Sequence, residues 1–234
     1  MGVWERLRRK PKSQNAPISK PQKEKKVALS GLGGVANIIA VAAGKGGVGK
    51  STVATNLARS LAALNYKVGL CDTDLYGPSV PTMLPAASPS QMTESQLIIP
   101  TVSSGIKVIS AGLLNKTGPS IMRGPMAAQF IKQLLTQTHW GSLDYLILDY
   151  PPGTGDIQLT LSQVAKITAA ILVTTPQTVA LNDVKKAYQM FTTLNVPVLG
   201  IVENMSWFLC GNCTTKHKIF PGSGAESLSK EFGF

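Results

Sequence analysis

Residues 44–51 read Gly44-Lys45-Gly46-Gly47-Val48-Gly49-Lys50-Ser51, followed by Thr52. Four glycines in such a run let several backbone N–H groups turn inward around an anion, because no Cβ blocks the approach or the left-handed conformations it needs. Lys50 is placed to neutralise the β- and γ-phosphates of a nucleotide, and Ser51 to offer a hydroxyl ligand to Mg²⁺. Lys45 is a second cation that an ordinary phosphate loop does not require.

Two acidic segments supply the remaining chemistry. Cys71-Asp72-Thr73-Asp74-Leu75-Tyr76-Gly77-Pro78-Ser79 sets two carboxylates at the end of an apolar run, suited to orienting an attacking water; Asp74 is expected to hold it, with Asp72 assisting. A bare Asp-x-Asp is also a turn-capping pattern, and only the neighbouring loop tips the reading toward catalysis. The apolar Leu146-Ile147-Leu148 delivers Asp149 to the Mg²⁺ shell. After it, Tyr150-Pro151-Pro152-Gly153-Thr154-Gly155-Asp156 joins stiff prolines to permissive glycines, with the Gly153 N–H as a γ-phosphate sensor and Asp156 as a helix cap.

Cys210-Gly211-Asn212-Cys213 carries half of a four-thiolate site. Two copies facing each other across a two-fold axis complete it, and four thiolates suit a [4Fe-4S] cluster or tetrahedral Zn²⁺; redox-active or inert thiols are the remaining readings. His217, between Lys216 and Lys218, reads as a solvated loop histidine. Cys71 reads as a small core hydrophobe. Trp207 and Phe208 could shield a cluster, form a dimer contact or simply pack.

These residues need a scaffold that gathers strand ends. Apolar strand-like runs at Ile38–Ala43, Lys67–Asp72, Ile106–Ser110, Tyr145–Asp149, Ala169–Thr174 and Val198–Glu203 alternate with helix-like runs at Lys50–Leu64, Met126–Thr138, Asp156–Lys166, Thr178–Leu194 and Gly224–Glu231. That alternation predicts an α/β fold, a doubly wound, mostly parallel sheet flanked by helices, with ligands at the C-terminal strand ends. The sequence stops at Phe232-Gly233-Phe234, where such a domain is expected to continue with another strand and helix, so a C-terminal truncation, or else an unusually short C-terminus, is expected.

At 234 residues and 44% hydrophobic, the chain has enough apolar surface for one α/β core, over residues 31–234. The net charge of +11 is concentrated at one end: residues 1–26 hold nine Lys/Arg against Glu5 and Glu24. Residues 1–30 therefore read as a basic, disordered tail, too poor in apolar residues to fold. The tail lacks the apolar segment of a secretory signal, and no run approaches the ~20 apolar residues of a membrane span. Three cysteines, an odd number, do not form a secreted disulfide framework, so a reducing, cytoplasmic setting is expected.

The loop with Lys45, Asp72-x-Asp74 running to Gly77-Pro78-Ser79, Asp149-x-Pro151-Pro152-Gly153-Thr154-Gly155-Asp156, and Glu203-Asn204-Met205-Ser206 ahead of the cysteine pair occur here in order. Together they resemble the Mrp/ApbC-type iron–sulfur carrier ATPases, part of the deviant Walker A group of P-loop NTPases that includes MinD and ParA. The resemblance runs from about residue 30 to the end and implies ATP and Mg²⁺ as cofactors and a [4Fe-4S] cluster as cargo. It further implies a homodimer in which Lys45 reaches the partner's nucleotide, and adenine recognition by Asn204. The implied partners are apo iron–sulfur proteins and a cluster assembly scaffold, without membrane insertion and without nucleic acid. The rival readings are a MinD/ParA-like positioning ATPase on membrane or DNA, to which the basic tail lends some support, and a zinc-stapled dimeric scaffold. Departures from the family pattern are Tyr150, where a smaller or aliphatic residue is usual, fewer glycines after Phe220, the missing terminal strand, and a basic tail in place of the N-terminal domain of some relatives.

Overall fold

The computed structural model describes residues 31–85, 90–93, 97–114, 124–220 and 224–234; the expected basic tail lies outside them. The elements run β1 (Val35–Ala42), α1 (Lys50–Ala63), β2 (Val68–Asp72), α2 (Val80–Met83), β3 (Gln91–Met92), β4 (Ile98–Ile99), β5 (Thr101–Ser103) and β6 (Ile106–Ser110). They continue with α3 (Ala111–Leu114), α4 (Gly124–Thr136), β7 (Leu143–Asp149), α5 (Asp156–Ala165), β8 (Ala169–Thr174), α6 (Thr178–Thr193), β9 (Val198–Glu203), β10 (Trp207–Leu209), β11 (Lys216–Lys218) and α7 (Gly224–Phe232).

Seven strands form the main sheet in the order β5-β6-β2-β7-β1-β8-β9, parallel except for β5, which runs antiparallel to β6. The doubly wound expectation holds: the helices cover both faces. β1 shows why, since Ile38, Ala40 and Ala42 join one core while Ile39, Val41 and Ala43 join the other, as the two-residue strand period requires. The first core takes Ile131, Leu134 and Leu135 of α4, Leu161 of α5, Phe191 of α6 and Leu228 of α7; the second takes Ala54 and Ala58 of α1. Strands buried on both faces must be apolar along their whole length, which makes β2 and β7 legible as continuous hydrophobic runs.

Several elements depart from the sequence reading. β5 extends the sheet as a short antiparallel edge where no strand was expected, and β10 and β11 form a separate hairpin around the cysteine pair. β1 and β7 begin three and two residues earlier than their apolar runs, because Asn37 and Asp144 lie within the paired ladder. Asp156 is the first residue of α5, and the N-cap position belongs to Gly155.

Trp140 is fully buried beside β7, donating from Nε1 to the Leu135 carbonyl at 3.2 Å. A Cβ on Gly69 of β2 would lie 3.1 Å from its ring. Trp140→Ala is expected to lower the unfolding free energy by about 3–5 kcal/mol, measured by urea denaturation.

Candidate nucleotide site and cysteine hairpin

The loop between β1 and α1 closes on Gly47 and Gly49, at φ +80° and +84°, a left-handed region that L side chains rarely occupy. Gly49 is the N-cap of α1, and no side chain caps that helix start. Its first N–H groups are therefore left for an anion. Gly44 is required for a different reason: a Cβ there would lie 2.1 Å from the Asp183 carbonyl carbon and oxygen, so α6 supports the loop from below.

Lys50 is 7% exposed and donates from Nζ to Asp149 Oδ1 at 2.5 Å, with Ser51 Oγ at 3.4 Å. Asp149 is fully buried at the end of β7, and its Oδ2 has no hydrogen-bond partner. Burial pushes its carboxyl up against the pull of Lys50. A carboxylate oxygen without a donor, beside the Ser51 hydroxyl and a phosphate loop, suits Mg²⁺, which takes oxygen ligands.

β2 lies beside β7 in register, Asp72 opposite Asp149. Asp72 is fully buried; its Oδ1 accepts from the Asp74 N–H at 3.1 Å, and its Oδ2 from the Ser110 hydroxyl at 3.0 Å and the Val80 N–H at 3.4 Å. Burial and then the charge of Asp149 push its pKa up to about 7. These bonds tie the end of β2 to the 74–80 segment and to β6. Asp74 is half-buried, accepts from the Gly77 N–H at 3.2 Å, and lines a cleft of about 230 Å³ together with Lys45, Lys50, Ser51, Ser79 and Pro152. Gly46, Gly47, Gly49 and Thr52 line the same cleft, whereas Val48 is buried beneath it. Lys45, at the cleft lip, is half-buried with no hydrogen bond or ion pair to any described residue.

Beyond Asp149, Gly153 has φ +97° and donates its N–H to the Ala43 carbonyl at 3.3 Å, so the expected sensor is turned back toward β1. Pro152 is the residue of this segment that lines the cleft. Gln158, 5% exposed, holds the segment by donating from Nε2 to the carbonyls of Pro152 at 2.7 Å and Pro151 at 3.3 Å. Sequence reading missed Gln158; a long amide in the first turn after two prolines was the available signal. The departure at Tyr150 is accommodated in the core, where its hydroxyl lies 3.0 Å from Ser162 Oγ and its ring meets Phe191.

Asn204 enters from the end of β9. Its Nδ2 donates to the Val48 carbonyl at 3.0 Å, which orients the amide and leaves Oδ1 as an acceptor. Cys210 and Cys213 lie on the turn of the β10–β11 hairpin, held by Cys210 N–H to Thr215 O and Thr214 N–H to Cys210 O, both 3.0 Å. Hydrogen bonding with Thr215, then with the Cys210 thiol, holds the exposed Cys213 thiol below its usual range. Trp207, Phe208 and Leu209 are all more than half exposed, and Lys218 sits over the Trp207 ring at 5.3 Å. They join neither core cluster among the described residues. No group of three or more metal-ligating side chains occurs among the described residues, and Cys71 is buried in the sheet.

A family model described as ParA: NUBPL iron-transfer P-loop NTPase matches residues 34–234. The chain is 51% identical over 201 residues to an iron-sulfur cluster carrier protein of Haemophilus influenzae, covering 85% of this chain and 54% of that one. It is 52% identical over 208 residues to the chloroplastic Fe-S cluster assembly factor HCF101 of Arabidopsis thaliana, covering 87% and 38%. The chain thus spans about half the length, or less, of these curated relatives. Among solved structures it is similar to a nucleotide-binding protein from Archaeoglobus fulgidus in complex with ADP, at TM-score 0.75 and 38% identity over 86% of this chain and 80% of that one. It shares its fold with MinD of Pyrococcus horikoshii, at TM-score 0.59 and 22% identity over 83% and 76%.

Asp149→Ala strands the Lys50 ammonium in the interior and is expected to cost about 3–5 kcal/mol of stability in urea denaturation. The double replacement Lys50→Met/Asp149→Leu is expected to recover most of that loss while leaving nucleotide binding abolished. Asp72, raised from its ordinary 3.8 to about 7, contributes stability that is full below pH 3.8 and lost as pH rises through about 7. Asp72→Asn should therefore flatten the fall in stability between about pH 4 and 7, followed by urea denaturation across that range.

Proposed function

The chain belongs to the iron-transfer P-loop NTPase family, and on that premise we propose that it is an ATP-hydrolysing carrier of iron–sulfur clusters, active as a homodimer. The observation that carries this reading is that one chain holds two half-sites: a phosphate cleft whose Lys45 has no partner among the described residues, and an exposed hairpin with two thiols where a cluster needs four. A two-fold axis completes both.

In this reading the loop N–H groups and Lys50 bind the phosphates of ATP, and Ser51 and Asp149 would hold Mg²⁺, which would supply positive charge against the phosphates. Asp74 orients the hydrolytic water and Asp72 fixes the segment that carries Asp74. Lys45 crosses to the partner's γ-phosphate, the role of an arginine finger supplied in trans. Asn204, with Nδ2 engaged by Val48, uses Oδ1 to accept from the adenine amine. The cargo is a [4Fe-4S] cluster held by Cys210 and Cys213 of both subunits, received from an assembly scaffold and delivered to apo iron–sulfur proteins. Thiols stay reduced in a cytoplasmic setting, as this requires. No helix among the described residues is long and apolar enough to cross a membrane.

Anaerobic reconstitution with iron and sulfide tests the proposal. About four irons and four sulfides per dimer, lost in Cys210→Ala/Cys213→Ala with nucleotide binding retained, are expected. Stoichiometric zinc that iron does not replace would establish the zinc-stapled scaffold instead, and an absence of metal would leave a nucleotide switch without cargo.

A further inference from the structure

One turn, residues 203–206, joins the phosphate loop to the cysteine hairpin. Asn204 sits on the loop: Nδ2 donates to Val48 O at 3.0 Å, and a Cβ built on Gly49 would lie 2.2 Å from that nitrogen. The Asn204 N–H continues the β8–β9 ladder onto Thr174 O at 2.8 Å. Trp207 opens the hairpin three residues later. Between them Met205 takes φ +57°, and Ser206 Oγ shares its single proton between the Glu203 carbonyl at 2.8 Å and Glu203 Oε1 at 2.9 Å. Glu203 Oε2 accepts the Ala225 N–H of α7 at 2.9 Å. Each carboxylate oxygen of Glu203 therefore holds a different side of the turn.

We propose that Glu203 is a positioning residue that makes the 203–206 turn rigid, so that nucleotide occupancy of the phosphate loop and the disposition of the Cys210/Cys213 hairpin are coupled. This deepens the carrier reading and rests on it only for the nature of the cargo. A nucleotide can shift the hairpin only if some element has different contacts in the two states. Asn204 is that element, because it packs against the last residues of the loop before α1. The turn decides whether the shift reaches Trp207. Anchored on Ser206 and on α7, it moves as one body; without Glu203, rotation about residues 205 and 206 absorbs the displacement. All six strand residues of the hairpin are exposed, so among the described residues no core packing resists its movement.

The test uses the full chain, reduced and stripped of iron and zinc. Alkylation rates of Cys210 and Cys213 are measured by mass spectrometry with Mg²⁺-ADP and with Mg²⁺ plus a non-hydrolysable ATP analogue. Wild type is expected to show rates differing by about 5-fold or more between the two states, the lower range of ordinary allosteric coupling. Glu203→Ala and Ser206→Ala should each bring the ratio to within about 2-fold of unity, with nucleotide affinity changed by less than about 2-fold, and Ser206→Thr should restore it. Retained nucleotide affinity is the folding control, and Ser206→Ala, which spares the contact with α7, decides the matter if Glu203→Ala fails to fold. A ratio preserved in the alanine variants overturns the proposal, as it would show that dimerisation alone shields the thiols; so does a wild type whose rates ignore nucleotide. Thiols are read here without iron. A chain that alkylates as expected yet binds no cluster would sink the carrier reading and leave the coupling intact.

Discussion

The site depends on an ammonium and a carboxylate held 2.5 Å apart in the interior, Lys50 on Asp149. Neither charge is tolerable there alone, and the pair together adds little over apolar residues of equal volume. Its worth is positional. The contact ties the start of α1 to the end of β7 and keeps a cation fixed beneath a loop of N–H groups. Asp149 Oδ2, without a donor, completes a centre whose charges are set before any ligand arrives.

The sheet order makes this possible. β1 lies between β7 and β8, and β7 between β1 and β2, so the glycine loop, Asp149 and Asp72 emerge from adjacent parallel strands at the same end. Each functional segment is then braced by a residue from elsewhere: α6 under Gly44, Ser110 on Asp72, Gln158 on the two prolyl carbonyls, Asn204 on Val48. The braces are polar contacts to backbone or carboxylate in nearly every case, which fixes position more sharply than apolar packing does.

What the sequence revealed and what it hid divide along the same line. The phosphate loop and the acidic strand ends were legible because phosphate chemistry needs fixed residue types at fixed short spacing. The buried strands were legible because both faces must be apolar. The braces were not, since Ser110 meets Asp72 across 38 positions and Asn204 meets Val48 across 156, and nothing local marks such partners. β5 escaped notice because three residues, Thr101–Ser103, are too few to show a period. The hairpin escaped it because its strands, Trp207–Leu209 and Lys216–Lys218, have three residues each and show no period. Asp72 was legible as an acidic strand end, but its bonds to the Asp74 and Val80 N–H groups and to Ser110 were not.

The β10–β11 hairpin pairs only with itself among the described strands, and it begins and ends within twelve consecutive residues, 207–218. Such an insert can be exchanged during evolution without disturbing a sheet whose stability lies elsewhere. The cleft at the strand ends and the cysteine hairpin are therefore separable pieces of the fold, joined at one turn. Replacing the hairpin would leave the sheet and the cleft it carries as they stand.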